Sequence, residues 1–417
     1  MTKLTSLFVI SFFWGLTTFA QATKVDSSSM ITLRIDPESA RGATVSQLFD
    51  EVEFIPLETT KESLFGGISQ LSVTKNYFVL FDYDTKAVLI FDKSGKFHAK
   101  INADLMKSDD DPKETTTFYG FRMVRVDNED QILTFTKKYG FYFNLSGKLI
   151  QKKLLKELTI EQVNTFGDQT RAVKQNALTV KGNDSSYHEI ALLKDKIEIA
   201  KYFPFSIRRF KNDQYIGNPK IYAYNEPNEF LYHRYYDFNI YKITPEKLSL
   251  AYRIILPVSN SLPKDFLTND AYRNKQIEYF QKNDNVFYGL SDTYKIDDLL
   301  FFKLASLGGD RNRKSGMIYN LSSGELLSIK DIEPDVLSSF LPITDAGAFF
   351  DYNNRGINAF GDQSFYTSYS SLAMFTFKEQ SVGKNPQYNA VLADYFKTQN
   401  KKSNPVLIRL KPKKHIN

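Results

Sequence analysis

A turn signal returns along this chain at a nearly constant interval, and that beat restricts the fold more than any other feature. Gly95, Gly147, Asp195, Pro245 and Gly324 each separate two strand-like runs, at intervals of 52, 48, 50 and 79 residues. Self-similarity at periods of about 20–50 residues marks propellers, solenoids and arrays. The best-defined unit is Gly67–Asn102. Its apolar runs Tyr77–Phe81 and Ala87–Phe91 flank the polar turn Asp82–Lys86. A second turn, Asp92–Lys96, leads to a run where Phe97, Ala99 and Ile101 alternate with Lys96, His98 and Lys100. Continuous apolar runs bounded by turns fit strands covered on both faces, and strict alternation fits a half-exposed one. With Ile68–Val73 ahead of them, these runs form a four-stranded meander, the blade of a β-propeller.

Echoes of the unit occur at Phe143–Lys148, Ala191–Ile197, Ile240–Leu248 and Met317–Leu326. The long interval is explained by Leu262–Lys282, which reads as a helical insertion: Pro263 suits a first turn, and Phe266, Ala271, Ile277 and Phe280 fall near one face. A sixth unit takes its inner strands from Phe340–Phe350 and Phe365–Phe377, a second helical insertion from Tyr388–Phe396, and a third strand from Asn404–Leu410. Its fourth strand is missing. The orphan N-terminal segments Val52–Leu57 and Met30–Ile35 are the candidates to supply it, which would remove the open sheet edges. The expected fold is therefore all-β, a six-bladed β-propeller whose N- and C-terminal strands close the last blade, with two short helical insertions. A β-sandwich followed by an α/β domain predicts no such beat.

The N-terminus reads as a secretory signal. Lys3 is followed by the apolar run Leu4–Leu16, and Thr18-Phe19-Ala20 offers a cleavage site before Gln21. The expected organisation is residues 1–20 as signal peptide, 21–29 as a flexible polar leader, 30–413 as propeller and 414–417 as tail. The run is short for a membrane anchor, so no stable membrane insertion is expected after cleavage. The chain has no cysteine, which excludes acyl anchoring, disulfides and cysteine chemistry and leaves the periplasm or the exterior as its place. Phe (35) and Tyr (25) far outnumber Met (6), a bias that suits strands. A net charge of +6, dispersed along 417 residues, gives no basic patch for nucleic acid.

Four stretches carry a family likeness: Val52–Thr60 (VEFIPLETT), Val88–Phe97 (VLIFDKSGKF), Tyr235–Ile254 (YYDFNIYKITPEKLSLAYRI) and Asn404–Lys413 (NPVLIRLKPK). On these the chain resembles the exported six-bladed β-propellers abundant in Bacteroides-type bacteria, distant relatives of NHL-repeat and TolB-like propellers. The resemblance implies an exported protein that binds ligands or partners, and it transfers no catalytic residue. One departure stands out. Where that family often has a loop of the type GQGPGEY after the first blade, this chain has Ala103–Thr117 (ADLMKSDDDPKETTT).

Chemical signatures are sparse. His98, His188, His233 and His415 show no metal-ligand spacing and read as surface or strand-end residues. No nucleophile elbow, P-loop or dinucleotide fingerprint is present. Asp109-Asp110-Asp111 with Glu114 lacks the alternation of a calcium loop, and Asp127–Asp130 and Gly182-Asn183-Asp184 read as turns. No metal or cofactor is expected, and no catalytic residue is assigned. The densest aromatic stretch is Phe230–Tyr241, with Phe230, Phe238 and Ile240 as core. Its turn, His233, Arg234, Tyr235 and Tyr236, is the candidate platform for a sugar or peptide. Arg311 and Arg313, in the basic loop Asp310–Lys314, are the second candidate, for an anionic ligand.

The leading expectation is a non-catalytic binding or scaffolding propeller that recognises a glycan, peptide or partner protein through loops at the channel mouth. The alternatives are a carbohydrate lyase or hydrolase at the same mouth, and a periplasmic sensor docking a partner through Leu262–Lys282. The sole tryptophan, Trp14, lies in the signal. Protein recovered from the exported fraction should therefore show tyrosine emission only, and a tryptophan emission band would refute cleavage.

Overall fold

The structure, a computed structural model, describes residues 22–106, 120–126, 129–155, 162–175, 187–217, 219–224, 226–307, 313–344, 357 and 359–416. Six antiparallel sheets follow one another along the chain. Blade one comprises Gln70–Val73, Tyr77–Asp82, Ala87–Asp92 and Phe97–Asn102. Blade two has Phe121–Val126, Glu129–Phe135, Tyr139–Phe143 and Leu149–Leu154. Blade three has Gln162–Thr165, Arg171–Lys174, Tyr187–Lys194 and Ile197–Phe205. Blade four has Ile221–Ala223, Phe230–Tyr232, Asn239–Ile243 and Leu248–Ile255. Blade five has Gly289–Ile296, Leu299–Ala305, Gly316–Asn320 and Leu326–Glu333. Blade six joins Ala359–Gly361, Ser364–Tyr369 and Val406–Pro412 to the N-terminal strand Phe49–Pro56. The protein is a six-bladed β-propeller.

The continuous apolar runs of blade one now have a physical cause. Phe78, Leu80 and Leu89 pack with Ile55, Tyr366 and Leu407 of blade six. Their neighbours Val79, Phe81, Val88 and Ile90 point the other way, onto Ile132, Phe141 and Phe143 of blade two. A middle strand of a blade is buried on both faces, so period-two alternation disappears and only burial remains. Each such side chain contributes about 1.5–3 kcal/mol relative to exposure. At the inner rim two glutamines bridge blades. Gln70 donates to the Phe121 carbonyl (2.7 Å) and accepts from its N–H (3.1 Å). Gln162 does the same with Ile221, at 2.7 and 2.9 Å.

All five turn markers fall between the third and fourth strands of their blades. Of the two N-terminal candidates, the segment around Val52–Leu57 closes the ring, with Val406 opposite Pro56 and Leu410 opposite Val52. The segment around Met30–Ile35 goes elsewhere: Ile31–Arg34 adds a parallel fifth strand to blade four, and Arg41–Thr44 does the same on blade five. Residues 22–29, expected to be a flexible leader, are also held. Thr23 N–H donates to the Lys201 carbonyl (2.8 Å), the Asp26 carbonyl accepts from Leu250 (2.7 Å), and Lys247 pairs with the Asp26 carboxylate (2.5 Å). Residues 22–56 thus form a belt over the outer edges of blades three, four and five before closing blade six.

The insertions differ from expectation. Within Leu262–Lys282 only Gln276–Lys282 is α-helical, because Asn274 adopts φ +54° and stops the preceding turn from propagating. Phe266 and Phe280 are nevertheless buried, while Ile277 is exposed. The expected strand Phe365–Phe377 ends at Tyr369, and the helix Ser371–Ser381 follows, its N-terminus capped by Ser370 accepting from Ala373 N–H (3.2 Å). The helix Ala390–Thr398 matches the second expected insertion. Leu341 and Ile343 are buried outside any strand, and most of Phe340–Phe350 lies outside the described residues.

Gly95, Gly147 and Gly324 share left-handed backbones, with φ of +86°, +74° and +76°. An added Cβ would lie 2.3 Å from the Pro56 carbonyl oxygen at Gly95, 3.3 Å from Ala99 Cβ at Gly147 and 3.6 Å from the Tyr319 hydroxyl at Gly324. Alanine costs about 1–2 kcal/mol at each for the backbone alone. Urea denaturation should rank the losses Gly95→Ala above Gly147→Ala above Gly324→Ala. Gly95 is expected to cost the most because a backbone oxygen of the closing strand cannot move aside. Equal losses would show that Cβ contact is irrelevant.

Candidate functional site

In an antiparallel blade, the second-to-third turn and the crossing from the fourth strand to the next blade leave from the same strand ends. The topology therefore gathers the described candidates on one face: the turn His233–Phe238, Arg313, the turn Ala103–Met106 and the insertion Leu262–Lys282. Of Ala103–Thr117, only the 3₁₀ turn Ala103–Met106 is described. The acidic cluster Asp109–Asp111 with Glu114, Asp127-Asn128, Gly182–Asp184 and Arg311 lie outside the described residues.

The turn after Phe230–Tyr232 is fixed by its own side chains. Asp237 accepts from Asn239 N–H (3.0 Å) and from the Tyr241 hydroxyl (2.8 Å). Tyr236, at φ +54°, donates its hydroxyl to the Gln214 carbonyl (2.6 Å) and accepts from Ile216 N–H (3.0 Å). This ties the turn to the crossing between blades three and four, which carries the short helix Ile207–Lys211. Tyr236 also packs on Phe266 and Phe280, at 5.3 and 5.9 Å between ring centres. The insertion is thereby held down onto the turn.

These contacts leave a cavity of about 330 Å³ between blades three and four, at the low end of the about 300–1,000 Å³ common for ligand pockets. Arg234 and Tyr235 line it, and His233 and Tyr236 do not. Its wall is aromatic: Phe210 stacks on Tyr215 (4.3 Å, 13°), and Tyr235 meets both edge-on at 5.8 and 5.2 Å. Its floor is charged. Arg234 donates to both oxygens of Glu189, at 2.9 and 2.7 Å, and the Tyr232 hydroxyl donates to the same carboxylate at 2.9 Å. Burial opposes the charge on Arg234, but the hydrogen bonds and charge of Glu189 outweigh it and push the guanidinium up. Lys174 is the second floor cation. Burial pulls its ammonium below the usual range, against the attraction of Glu189 and with the repulsion of Arg122. Burial also raises the Tyr215 and Tyr235 phenols.

His233 is a buried core residue, not a platform residue. It is 1% exposed, and its Nε2 lies 3.0 Å from the Tyr222 hydroxyl, which in turn accepts from Asp292 N–H (2.9 Å). His188 is buried at the start of the strand Tyr187–Lys194, a strand-end placement, whereas His98 packs against Tyr77. Arg313 is spent on structure. It donates to the Asp284 carbonyl (2.8 Å) and the Asn285 carbonyl and lies over the Phe287 ring. Phe230 and Ile240 are core as expected, with Phe238 partly buried against it. Among the described residues no group of three or more His, Asp or Glu is placed to hold a metal, and no helix is long and apolar enough to cross a membrane.

Sequence reading missed Lys174, Glu189, Phe205, Phe210 and Tyr215, because five separate stretches meet here. The aromatic-basic run Phe203–Phe210 (FPFSIRRF) was the visible signal.

The family model described as a domain of unknown function, DUF4934, matches residues 31–411. The chain belongs to this family. No curated protein matches the DUF4934 chain. Among solved structures it is similar to a candidate exported protein of Bacteroides fragilis, at 13% identity over 92% of this chain and 100% of that one, with a TM-score of 0.60. It is also similar to a DUF4221-family member of Bacteroides vulgatus, at 12% identity over 87% and 97% of the two chains, with a TM-score of 0.41. The first shows a shared fold, and at that identity nothing more.

Burial lowers His233 from 6.5 to about 3. The unfolded chain therefore takes up this proton first as pH falls, so stability declines from near pH 6.5 until about pH 3. At 1.36 kcal/mol per unit, the loss between pH 6.5 and 4.5 is roughly 2–3 kcal/mol. Urea titrations across that range should show a slope flattened by this amount in His233→Gln, whatever its absolute stability. Parallel slopes would remove His233 as the cause.

Proposed function

We propose that this DUF4934 chain is an exported, non-catalytic binding propeller whose ligand site is the cavity between blades three and four. The observation that carries the reading is the pairing of a three-ring aromatic wall with a locked polar floor in one pocket. Rigid tyrosines offer large contact area at little entropic loss, and a bidentate arginine pair fixes the floor before any ligand arrives. The site lies at a blade junction on the face where the loops gather, in place of the channel mouth expected from sequence. Glycan and small peptide are the ligand classes that such a surface suits.

Catalysis is the weaker reading. Glycoside hydrolysis uses two carboxyl groups flanking the bond. Among the described residues lining the cavity Glu189 is the single carboxylate, and its oxygens are taken up by Arg234 and Tyr232. Export is supported by the Lys3 and Leu4–Leu16 pattern. Kinship with NHL-repeat and TolB-like propellers rests on the sequence likeness alone.

A thermal-shift screen with neutral and acidic oligosaccharides and with tripeptides, followed by calorimetry, tests the reading. Tyr235→Ala should weaken any ligand found by about 10-fold, in line with loss of a packed aromatic contact. Tyr83→Ala, at an exposed turn of blade one, should leave it unchanged. A panel without ligands, or ligands indifferent to Tyr235, would count against the cavity as the site.

A further inference from the structure

We infer that the cavity selects an acidic saccharide, a sugar ring bearing a carboxylate; this rests on the reading of the cavity as the ligand site. The charge count is the first argument. Among the described residues, Arg234, Lys174 and Arg209 line the space against one carboxylate, Glu189. Glu189 is consumed by the two-point pair with Arg234, so that pair is internally neutral. Lys174 has no ion-pair partner within 4 Å among the described residues, although its side chain is partly withdrawn from water. A half-buried ammonium without a counter-ion is costly, and an incoming anion lowers that cost. The second cation, Arg209, is exposed on the helix Ile207–Lys211, where it serves attraction at a distance more than a fixed contact.

The second argument concerns what else the ligand must be. Phe210, Tyr215 and Tyr235 are half-buried and locked against each other, so the rings present fixed surface to the cavity. The electron-rich face of an aromatic ring receives the polarised C–H bonds on one side of a pyranose. Around those rings the lining carries the hydroxyls of Ser206, Tyr215, Tyr235 and Thr268 and the amide of Gln175. That density of neutral donors and acceptors matches a ligand rich in hydroxyl groups. Inorganic anions would satisfy Lys174 and leave the rings unused. Neutral sugars would use the rings and leave Lys174 uncompensated.

Calorimetry on the exported protein, using a hexuronic-acid disaccharide and the neutral hexose disaccharide of the same linkage, tests this. The acidic sugar should bind at least about 10-fold tighter, the worth of one charge-assisted hydrogen bond. Lys174→Met should erase that preference and leave neutral binding within about 2-fold, and Tyr235→Ala should weaken both sugars by about 10-fold. If Lys174→Met fails to fold, the wild-type protein still decides. Its preference should shrink several-fold between roughly 0.05 and 0.5 M salt, as the Debye length contracts. Equal affinity, a salt-independent preference, or a preference retained in Lys174→Met overturns the acidic selectivity and leaves the cavity as a ligand site. Tighter Lys174-dependent binding of an acidic dipeptide such as Glu–Tyr overturns the saccharide assignment. Failure of both sugars to bind, or indifference of both to Tyr235→Ala, removes the saccharide site itself.

Discussion

The ladder between Val406–Pro412 and Phe49–Pro56 is the contact on which the ring depends. A propeller built by repetition ends with a blade short of one strand, and its closure must come from the other end of the chain. Five blades here close themselves through a local turn, and the sixth has only this long-range pairing. Asn404 seals it. The side chain is fully buried, donates to the carbonyls of Glu58 and Ser63 (2.7 and 2.9 Å) and accepts from Phe65 N–H (3.1 Å). Its own N–H donates to the Thr59 hydroxyl (2.9 Å). A buried amide with these partners adds specificity to the closure, because any slipped register would leave it unpaired.

The belt leads into the closure. On the way to Phe49–Pro56 in blade six, the preceding residues run around the outside of the ring, past blades three, four and five. They use the trip to pair with the outer strands, and two of those pairings become parallel fifth strands. Those edges would otherwise expose unpaired N–H and carbonyl groups. The belt also stiffens the blades that frame the cavity, since Lys201 on blade three and Leu248–Ile255 on blade four both receive it.

The fold was legible because its signals are local and repeated. Gly95, Gly147 and Gly324 mark turns that need left-handed backbone, and each lies where the period places it. Helix boundaries were less legible. Phe375-Thr376-Phe377 has strand-like residues, yet the Ser370 cap and the packing of Met374 and Phe377 make the segment helical. The candidate site was half legible. The turn His233–Tyr236 was found through its aromatic density, but sequence alone could not separate the faces of that turn. The left-handed backbone of Tyr236 turns its ring into the cluster with Phe266 and Phe280, while Tyr235 and Arg234 face the cavity. Lys174 and Glu189 sit in ordinary strands, and only the packing of blade three on blade four gives them a shared role.

The location of the cavity follows from how this ring departs from regularity. At a regular junction the apolar faces of neighbouring blades meet and fill the space, as Val79 and Phe81 do against Ile132 and Phe141. Between blades three and four the core is equally dense at its centre, where Ile190 and Leu192 meet Phe230 and Tyr232. Towards the loop face, apolar residues give way to Lys174, Glu189 and Arg234. The crossing 206–217 and the insertion that follows blade four are laid over them, with Tyr236 binding the two together. A covering that existed only to shield apolar surface would bring leucine and valine to this place. It brings Phe210, Tyr215 and Leu267 with Ser206, Arg209 and Thr268, and so encloses charge beside aromatic surface without filling the space. Packing alone gives no reason to hold fixed rings and a cation without an ion-pair partner around a solvent-open space. A ligand that supplies both a ring face and an anion gives that reason.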